Sequence, residues 1–241
     1  MNQSSSSTAT PESVQAAITQ TLAQLRLYEE QHGRTPSSVA LLAVSKTKPI
    51  SLIKAALAAG QRDFGENYLD AALEKISKLG EEPCRWHFIG QIQSNKTALI
   101  ASHFDWVHGI DREKIASRLA AQRPEHLPPL NCCIQLNIDE ETSKAGVLAE
   151  QLPALCQHIM ALPRLRLRGL MCIPAPRQDF EQQRTIFHAI SSELNHLKSD
   201  YPELDTLSMG MSADTEAAVA EGSTMVRIGT ALFGARAKKQ N

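Results

Sequence analysis

The feature that most constrains the fold is a regular alternation of short apolar segments and longer amphipathic ones. Eight apolar segments are predicted to be strands: residues 38–46, 62–67, 85–90, 104–110, 130–138, 165–173, 206–209 and 224–229. Each is followed by a helical or short closing segment. Alternating strands and helices are typical of a parallel sheet, because parallel strands need a crossover between them. Eight such units predict a single closed (β/α)8 barrel of the TIM type.

An open doubly wound sheet is the alternative that the same alternation allows. No G-x-G-x-x-G follows the first predicted strand, which disfavours a dinucleotide-binding version of that sheet. Residues 12–32 have helical periodicity and predict an extra helix before the barrel. We therefore expect a disordered Ser/Thr-rich tail at 1–10, a barrel domain with its N-terminal helix at 11–236, and a C-terminal tail at 237–241.

Composition excludes several classes of function. The 241 residues carry a net charge of -1, which gives no electrostatic reason to expect binding to nucleic acid or to an anionic membrane. No apolar run approaches the roughly 20 residues that span a bilayer, and the N-terminus lacks the apolar core of a signal peptide. The five cysteines form no CxxC pair and no spacing typical of metal ligands. These features predict reduced core thiols, no metal site and a cytoplasmic protein.

Functional residues of such barrels lie at the carboxyl ends of the strands. The loops after the seventh and eighth strands often bind phosphate, and here they carry glycines and hydroxyls: Gly210, Ser212, Gly229 and Thr230. Glycine lets backbone N–H groups approach an anion, and hydroxyls add donors. Ser212 is also expected to cap the helix "ADTEAAVAEG". Ordinary turn and capping roles would explain each residue alone, whereas their joint position favours a phosphate site.

An arginine lies within the last predicted strand, "TMVRIG". Both faces of a barrel strand are buried, so Arg227 needs an acceptor. An unpaired buried charge costs on the order of several kcal/mol. That acceptor is either a carboxylate such as Glu66 or an atom of a ligand in the barrel mouth.

The first strand ends on a lysine, in "LLAVSKTKPI". Strand-end lysines are commonly solvated, but an amine partly withdrawn from water can form a Schiff base with an aldehyde. A lysine, a phosphate site and a guanidinium around one barrel mouth are what pyridoxal 5′-phosphate requires. Lys46 is the candidate amine, and Lys48 is the alternative two residues along. His87 is expected to be a hydrogen-bonded core residue, whereas Lys96 and Lys144 suit either an anion or a solvated surface.

Six ordered motifs together resemble the pyridoxal-phosphate homeostasis (YggS/PROSC-type) family: "AVSKTKP", "FGENY", "WHFIG-Q-IQSNK", "LRLRGLM", "LSMGMS" and "STMVRIGTALFGAR". The similarity extends from about residue 39 to 236. It implies a barrel of the alanine racemase N-terminal type that binds pyridoxal phosphate on the first motif lysine, Lys46. The family usually has a proline where Gln91 stands, so no cofactor contact is assigned to that loop.

The resemblance also implies roles for individual residues. Asn67 would lie near the cofactor ring, and Met171 would line the pocket. Arg227 would face the pyridine nitrogen. The phosphate would be held by Ser212, Gly229 and Thr230.

Two functions remain open at this point. A non-catalytic carrier would store, buffer or deliver the cofactor, with enzymes that lack their pyridoxal phosphate as recipients. An amino-acid racemase would need a second acid/base opposite Lys46, which in the racemases comes from a C-terminal β-domain. Only "AKKQN" follows "FGAR", and none of Tyr28, Tyr68 and Tyr201 is well placed. A monomeric carrier is therefore the expected function.

Overall fold

The computed structural model describes residues 9–141 and 144–235. Its strands lie within the eight predicted segments, with one or two residues trimmed from several ends: β1 Ala40–Val44, β2 Asp63–Glu66, β3 Arg85–Phe88, β4 Trp106–Ile110, β5 Leu130–Leu136, β6 Leu165–Cys172, β7 Thr206–Ser208 and β8 Met225–Ile228. All neighbouring strands are parallel.

The sheet closes on itself in the order β1 to β8. The closing pair is β8 with β1, where Leu41 lies opposite Val226 and Leu42 opposite Arg227. This pairing confirms the predicted (β/α)8 barrel and excludes the open sheet. It also places the ends of the first and last strands side by side, so that the loops carrying Lys46 and Thr230 are neighbours.

Helices cover the outside of the barrel: α1 Pro11–Gln31, α2 Ile50–Ala58, α3 Leu69–Leu79, α4 Thr97–His103, α5 Glu113–Gln122, α6 Leu152–Met160, α7 Phe180–Lys198, α8 Thr215–Ala220 and α9 Thr230–Phe233. The predicted extra helix is α1, which starts at a capping box between Thr10 and Ser13 and packs against α2, α8 and α9. No helix in the described part of the chain is both long and apolar enough to cross a membrane.

The expected cap of the helix after β7 is wrong. That helix, α8, begins at Thr215, and its N-cap residue is Asp214 rather than Ser212. The carboxylate of Asp214 accepts a hydrogen bond from the Met211 backbone N–H at 2.5 Å, which closes a turn over residues 211–214. Because this turn delays the start of the helix, Ser212 is left in an exposed loop.

The two faces of the barrel strands differ in polarity. The outward face is apolar and packs against the helices, and Leu41 and Ala43 on β1 belong to the same continuous core as Ile53 on α2. The inward face carries buried polar side chains, among them His87, His108, Ser208 and Arg227. The predicted tails at 1–10 and 237–241 lie largely or wholly outside the described residues, so the domain boundaries stay predictions.

Candidate functional site

The loop after β1 is a tight turn that separates the roles of its two lysines. The Lys48 backbone N–H donates to the Ser45 carbonyl at 3.0 Å, and Thr47 adopts a φ of 61°. Lys48 Nζ donates to the carbonyls of Phe233 and Gly234 at 2.8 Å each, at the end of α9. Lys46 is half-buried, and no hydrogen bond or ion pair joins its Nζ to any described residue. Of the two amines, Lys46 is the one available to a ligand.

A buried ion pair supports this turn from outside the barrel. Lys75 on α3 donates to Glu66 Oε1 at 2.6 Å and to the Ser45 carbonyl at 2.7 Å, and the Ser45 hydroxyl donates to the same carboxylate oxygen at 2.6 Å. We call Ser45, Glu66 and Lys75 the outer triad. All three are buried, and the triad fixes the residue immediately before Lys46.

The loops after β7 and β8 lie against the end of β1. A Cβ added at Gly229 would approach the Val44 carbonyl to 3.2 Å, which shows how closely β8 meets β1 just below the Lys46 turn. The Arg227 backbone N–H donates to the Gly210 carbonyl at 2.9 Å, which ties the loop after β7 to β8. Ser212 lies beside α9, where it and Ala231 line a cavity of about 140 Å³. The structure therefore brings the predicted phosphate-binding loops together beside the carboxyl end of β1.

Arg227 is buried in the barrel, and its partners are neutral oxygens. One terminal nitrogen donates to the Ser208 carbonyl and, at 2.9 Å, to the Ser208 hydroxyl; the other donates to the Cys172 carbonyl at 2.7 Å. The suggested partner Glu66 is instead held by the outer triad, so that alternative is wrong. Burial lowers the pKa of Arg227, but an arginine still carries its charge at neutral pH. Within the described residues, no carboxylate forms an ion pair with this guanidinium.

Asn67 and Met171 lie on opposite sides of the mouth. Asn67 follows β2, and its Oδ1 is buried with no hydrogen-bond partner among the described residues. A Cβ at Gly90 would come within 2.4 Å of the Asn67 carbonyl, so the loop that carries Gln91 is close to it. Met171 is on β6, next to Ser208 in register, and packs with Trp106 and Cys133 inside the barrel.

The other residues considered in the sequence analysis are hydrogen-bonded or ion-paired in the structure. His87 is buried and bonded to Asp63 and His108, which confirms it as a satisfied core residue. Lys96 pairs with Asp70 at 3.3 Å, and Lys144 pairs with Glu141 at 2.8 Å. These surface pairs agree with solvated roles for both lysines. Within the described residues, no group of three or more His, Cys, Asp or Glu side chains could hold a metal ion.

Sequence reasoning missed Lys75, His108 and Ser208. Lys75 shares a helix face with the buried Ala72 and Leu79, so its position on that face was a usable signal for a buried partner. His87 and His108 each lie inside buried neighbouring strands, which indicates that they share a hydrogen bond.

The donor set fits a phosphorylated aldehyde with a basic ring. Lys46 Nζ is unpaired among the described residues, Arg227 is a cation held by neutral oxygens, and Asn67 Oδ1 is a buried acceptor without a donor. Buried polar atoms normally have partners, so these groups at one barrel mouth indicate a polar ligand. The fold and this site together define a barrel of the alanine racemase N-terminal class.

Comparisons with known proteins agree with that class and identify the family within it. The family model described as "Alanine racemase, N-terminal domain" matches residues 20–237. A pyridoxal phosphate homeostasis protein of Pseudomonas aeruginosa is 56% identical over 220 residues, covering 91% of this chain and 94% of the relative. The chain therefore belongs to the family of pyridoxal phosphate homeostasis proteins.

Two solved structures are also similar to this chain. PipY of Synechococcus elongatus, solved with pyridoxal phosphate (PLP) bound, is 36% identical with a TM-score of 0.78, covering 90% of this chain and all of PipY. Alanine racemase of E. faecalis is 18% identical with a TM-score of 0.68, covering 94% of this chain and 58% of the racemase. The second match shows a shared fold alone.

Proposed function

We propose that this chain binds pyridoxal 5′-phosphate as a Schiff base on Lys46 and serves to store, buffer or deliver that cofactor in the cytoplasm. The observation that carries the proposal is Arg227, a buried cation at the barrel mouth whose described partners are all neutral oxygens. Such a group can face the ring nitrogen of the cofactor. The PLP-bound structure of PipY and the family's name support the proposal.

The other mouth residues have complementary tasks. Gly229 offers a backbone N–H and Thr230 a hydroxyl at the start of α9, and Ser212 adds a second hydroxyl, so these three would hold the phosphate. Asn67 would donate to or accept from the ring substituents, and Met171 would form part of the apolar floor. When bound, the cofactor supplies an aldehyde carbon that amines can attack. Lys48 occupies the carbonyls of Phe233 and Gly234, and Lys46 would hold the cofactor with an amine that no described residue bonds.

The charge of Arg227 favours a carrier over an enzyme. A guanidinium next to the ring nitrogen disfavours protonation of that nitrogen. An unprotonated ring withdraws electrons less strongly, so it supports carbanion chemistry poorly. The curated relatives are named homeostasis proteins, which agrees with binding rather than turnover.

Amino-acid racemisation is the second candidate, because the barrel resembles that of the alanine racemases. It needs a second acid/base opposite Lys46. Of the tyrosines, Tyr68 is exposed on the rim, Tyr28 lies on α1 and Tyr201 follows α7, and none is buried at the mouth. Incubation of the loaded protein with single enantiomers of alanine and serine distinguishes the two functions. Sustained conversion to the other enantiomer would favour the racemase.

The Schiff base is tested by the visible absorbance of the purified, cofactor-loaded protein. We expect a band that Lys46→Ala removes and that Lys54→Ala, an exposed lysine on α2, leaves unchanged. Borohydride reduction followed by peptide mapping should place the cofactor on Lys46 and not on Lys48. No band in the wild type, or an unchanged band in Lys46→Ala, would overturn the assignment.

Delivery implies partners, and we propose enzymes that lack their pyridoxal phosphate as the recipients of a monomeric carrier. In one experiment the loaded protein and such an enzyme are separated by a dialysis membrane, which only free cofactor crosses. In a second experiment the two proteins share one compartment, where direct transfer is also possible. Faster activation in one compartment supports delivery by contact. Equal rates of enzyme activation in the two experiments would indicate that the protein stores and buffers the cofactor and does not deliver it by contact.

A further inference from the structure

A row of five buried or partly buried polar side chains crosses the inside of the barrel. His87 Nε2 lies 3.0 Å from Asp63 Oδ1, and His87 Nδ1 lies 3.0 Å from His108 Nε2. His108 Nδ1 lies 2.9 Å from the Ser208 hydroxyl, which is 2.9 Å from an Arg227 nitrogen. We call these five residues the lumen chain. Because β4 and β7 are not neighbours in the sheet, the bond from His108 to Ser208 spans the lumen.

With Asp63 ionised and both imidazoles neutral, the hydrogen bonds of the lumen chain run in one direction. Arg227 can only donate, so the Ser208 oxygen accepts from it. The Ser208 hydroxyl hydrogen is then free to point at His108 Nδ1, and this leaves the His108 proton on Nε2, where it is donated to His87 Nδ1. The His87 proton is on Nε2 and is donated to Asp63, which can only accept while ionised. In this arrangement each donor and acceptor along the lumen chain has one partner, and both imidazoles are neutral.

The electrostatics agree with this arrangement. Burial lowers the pKa of His87, and burial, the neighbouring His87 and the charge of Arg227 lower the pKa of His108 well below its usual value. Burial raises the pKa of Asp63, but the hydrogen bonds and charges of Arg85 and His87 outweigh it and bring the value to about 2. The charged groups that act on the two imidazoles are Asp63, Arg85, Asp105 and Arg227. At neutral pH the lumen chain therefore has a carboxylate at one end, a guanidinium at the other and neutral groups between them.

We propose that His108 is a positioning residue for Arg227 and acts through the hydroxyl of Ser208. This inference rests on the proposed function, in which Arg227 faces the cofactor ring. A serine hydroxyl can rotate, and its orientation towards Arg227 is fixed when another group accepts its hydrogen. His108 Nδ1 takes that hydrogen. With the hydroxyl fixed, the Arg227 nitrogen that donates to the Ser208 carbonyl has a second acceptor in the Ser208 hydroxyl, and the other terminal nitrogen is held by the Cys172 carbonyl.

The first test needs neither a variant nor the cofactor. Long-range ¹H–¹⁵N correlation spectra of the ¹⁵N-labelled protein at pH 7 report the tautomer of each imidazole. We expect His87 and His108 to be neutral and protonated on Nε2. A proton on Nδ1 of His108, or a charged imidazole at either position, would overturn the proposal, because Ser208 would then accept rather than donate.

The second test uses variants loaded with pyridoxal phosphate. His108→Leu and Ser208→Ala should keep the absorbance band on Lys46 but weaken cofactor affinity about tenfold, the effect of losing one hydrogen bond to a charged group. His108→Asn should retain most of the affinity, because its amide oxygen can accept near the position of Nδ1. The exposed His126→Leu is the matched control and should bind like the wild type.

The outcomes separate this proposal from the proposed function. If the wild type shows no Schiff-base band, the proposed function fails, whereas the tautomers still report on the lumen chain. If the band is present and His108→Leu and Ser208→Ala bind like the wild type, the positioning role alone fails. Equal loss in His108→Leu and His108→Asn would also overturn it, because a purely structural role would not distinguish an acceptor from a methyl group.

Discussion

Two buried polar networks lead to the proposed cofactor site, and they are built differently. The outer triad places Lys75 in direct contact with Glu66 and ends at Ser45, next to Lys46. The lumen chain separates its two charges, Asp63 and Arg227, by two imidazoles and a hydroxyl. The first network holds a backbone turn, whereas the second holds a charged side chain.

The difference lies in what each network leaves unsatisfied. In the outer triad, Glu66 Oε2 is buried without a hydrogen-bond partner among the described residues, so the carboxylate depends on Lys75. In the lumen chain, each ring nitrogen has a partner and the terminal charge of Asp63 is also bound by Arg85 at 2.6 Å. We therefore expect the outer triad to dominate stability and the lumen chain to govern pH dependence and ligand affinity.

The largest expected effect is on the outer triad. Lys75→Met leaves the Glu66 carboxylate buried and uncompensated, which should lower the free energy of unfolding by about 3–5 kcal/mol. Urea denaturation measures the change. Lys78→Met on the same helix is the control, because Lys78 and its partner Glu74 are exposed, and it should cost less than about 1 kcal/mol. Similar losses in the two variants would show that the triad does not dominate stability.

Removing the charge of Asp63 should have a smaller and pH-dependent effect. Its pKa of about 2 in the folded protein lies below the value near 3.9 of an unfolded chain, so the carboxylate adds about 2 kcal/mol of stability at pH 7. That contribution is present above the unfolded pKa and is lost as the pH falls from about 4 to 2. Asp63→Asn should therefore be less stable than the wild type at pH 7 and similar to it at about pH 2.

Unfolding at several pH values checks this, with Asp200→Asn, an exposed position just after α7, as the control. A difference between Asp63→Asn and the wild type that stays constant with pH would show that the charge of Asp63 contributes nothing.

The architecture was predictable because its signals are local. Each strand lies inside its predicted segment, since a buried parallel strand such as "LLAV" is a continuous apolar run bounded by turn residues. The strand end next to Lys46 was predictable in the same way, whereas the choice of Lys46 over Lys48 rested on the resemblance to the homeostasis family.

The hydrogen bond that crosses the lumen was not predictable, because its two residues are distant in sequence. His108 and Ser208 are 100 residues apart and meet only because the barrel closes. The alternative in which Arg227 pairs with Glu66 is wrong for a different reason: the nearer cation for Glu66 is Lys75, which α3 places on the outer side of the sheet. The cap expected at Ser212 failed because Asp214 forms a competing turn.

The imidazoles of the lumen chain should make the protein sensitive to mild acid. Their pKa values are lowered by burial, so on acidification the unfolded chain binds protons before the folded one does. Stability is therefore full above about pH 6.5 and falls below it, by up to about 1.4 kcal/mol per pH unit for each proton taken up. His108→Asn should reduce that slope between pH 6.5 and 5, whereas His126→Asn should not. An unchanged slope in His108→Asn would contradict a neutral, buried imidazole.

The smallest expected effect concerns the turn that the outer triad supports. Thr47 has a φ of 61°, a conformation that is strained for a β-branched residue and free for glycine. Thr47→Gly should therefore raise the free energy of unfolding by about 1 kcal/mol. Ser37, with a φ of 64° before β1, is the matched control, because it has similar strain but lies at the other end of the barrel.

Cofactor affinity distinguishes the two glycine variants. Glycine relieves strain but adds freedom to the turn that directs Lys46, so Thr47→Gly should bind pyridoxal phosphate more weakly while being more stable. Ser37→Gly should gain stability with no change in affinity, measured by titration of the visible band. If both variants bind like the wild type, then the outer triad and the bonds of Lys48 fix the turn without help from Thr47, and the strain there has no part in directing Lys46.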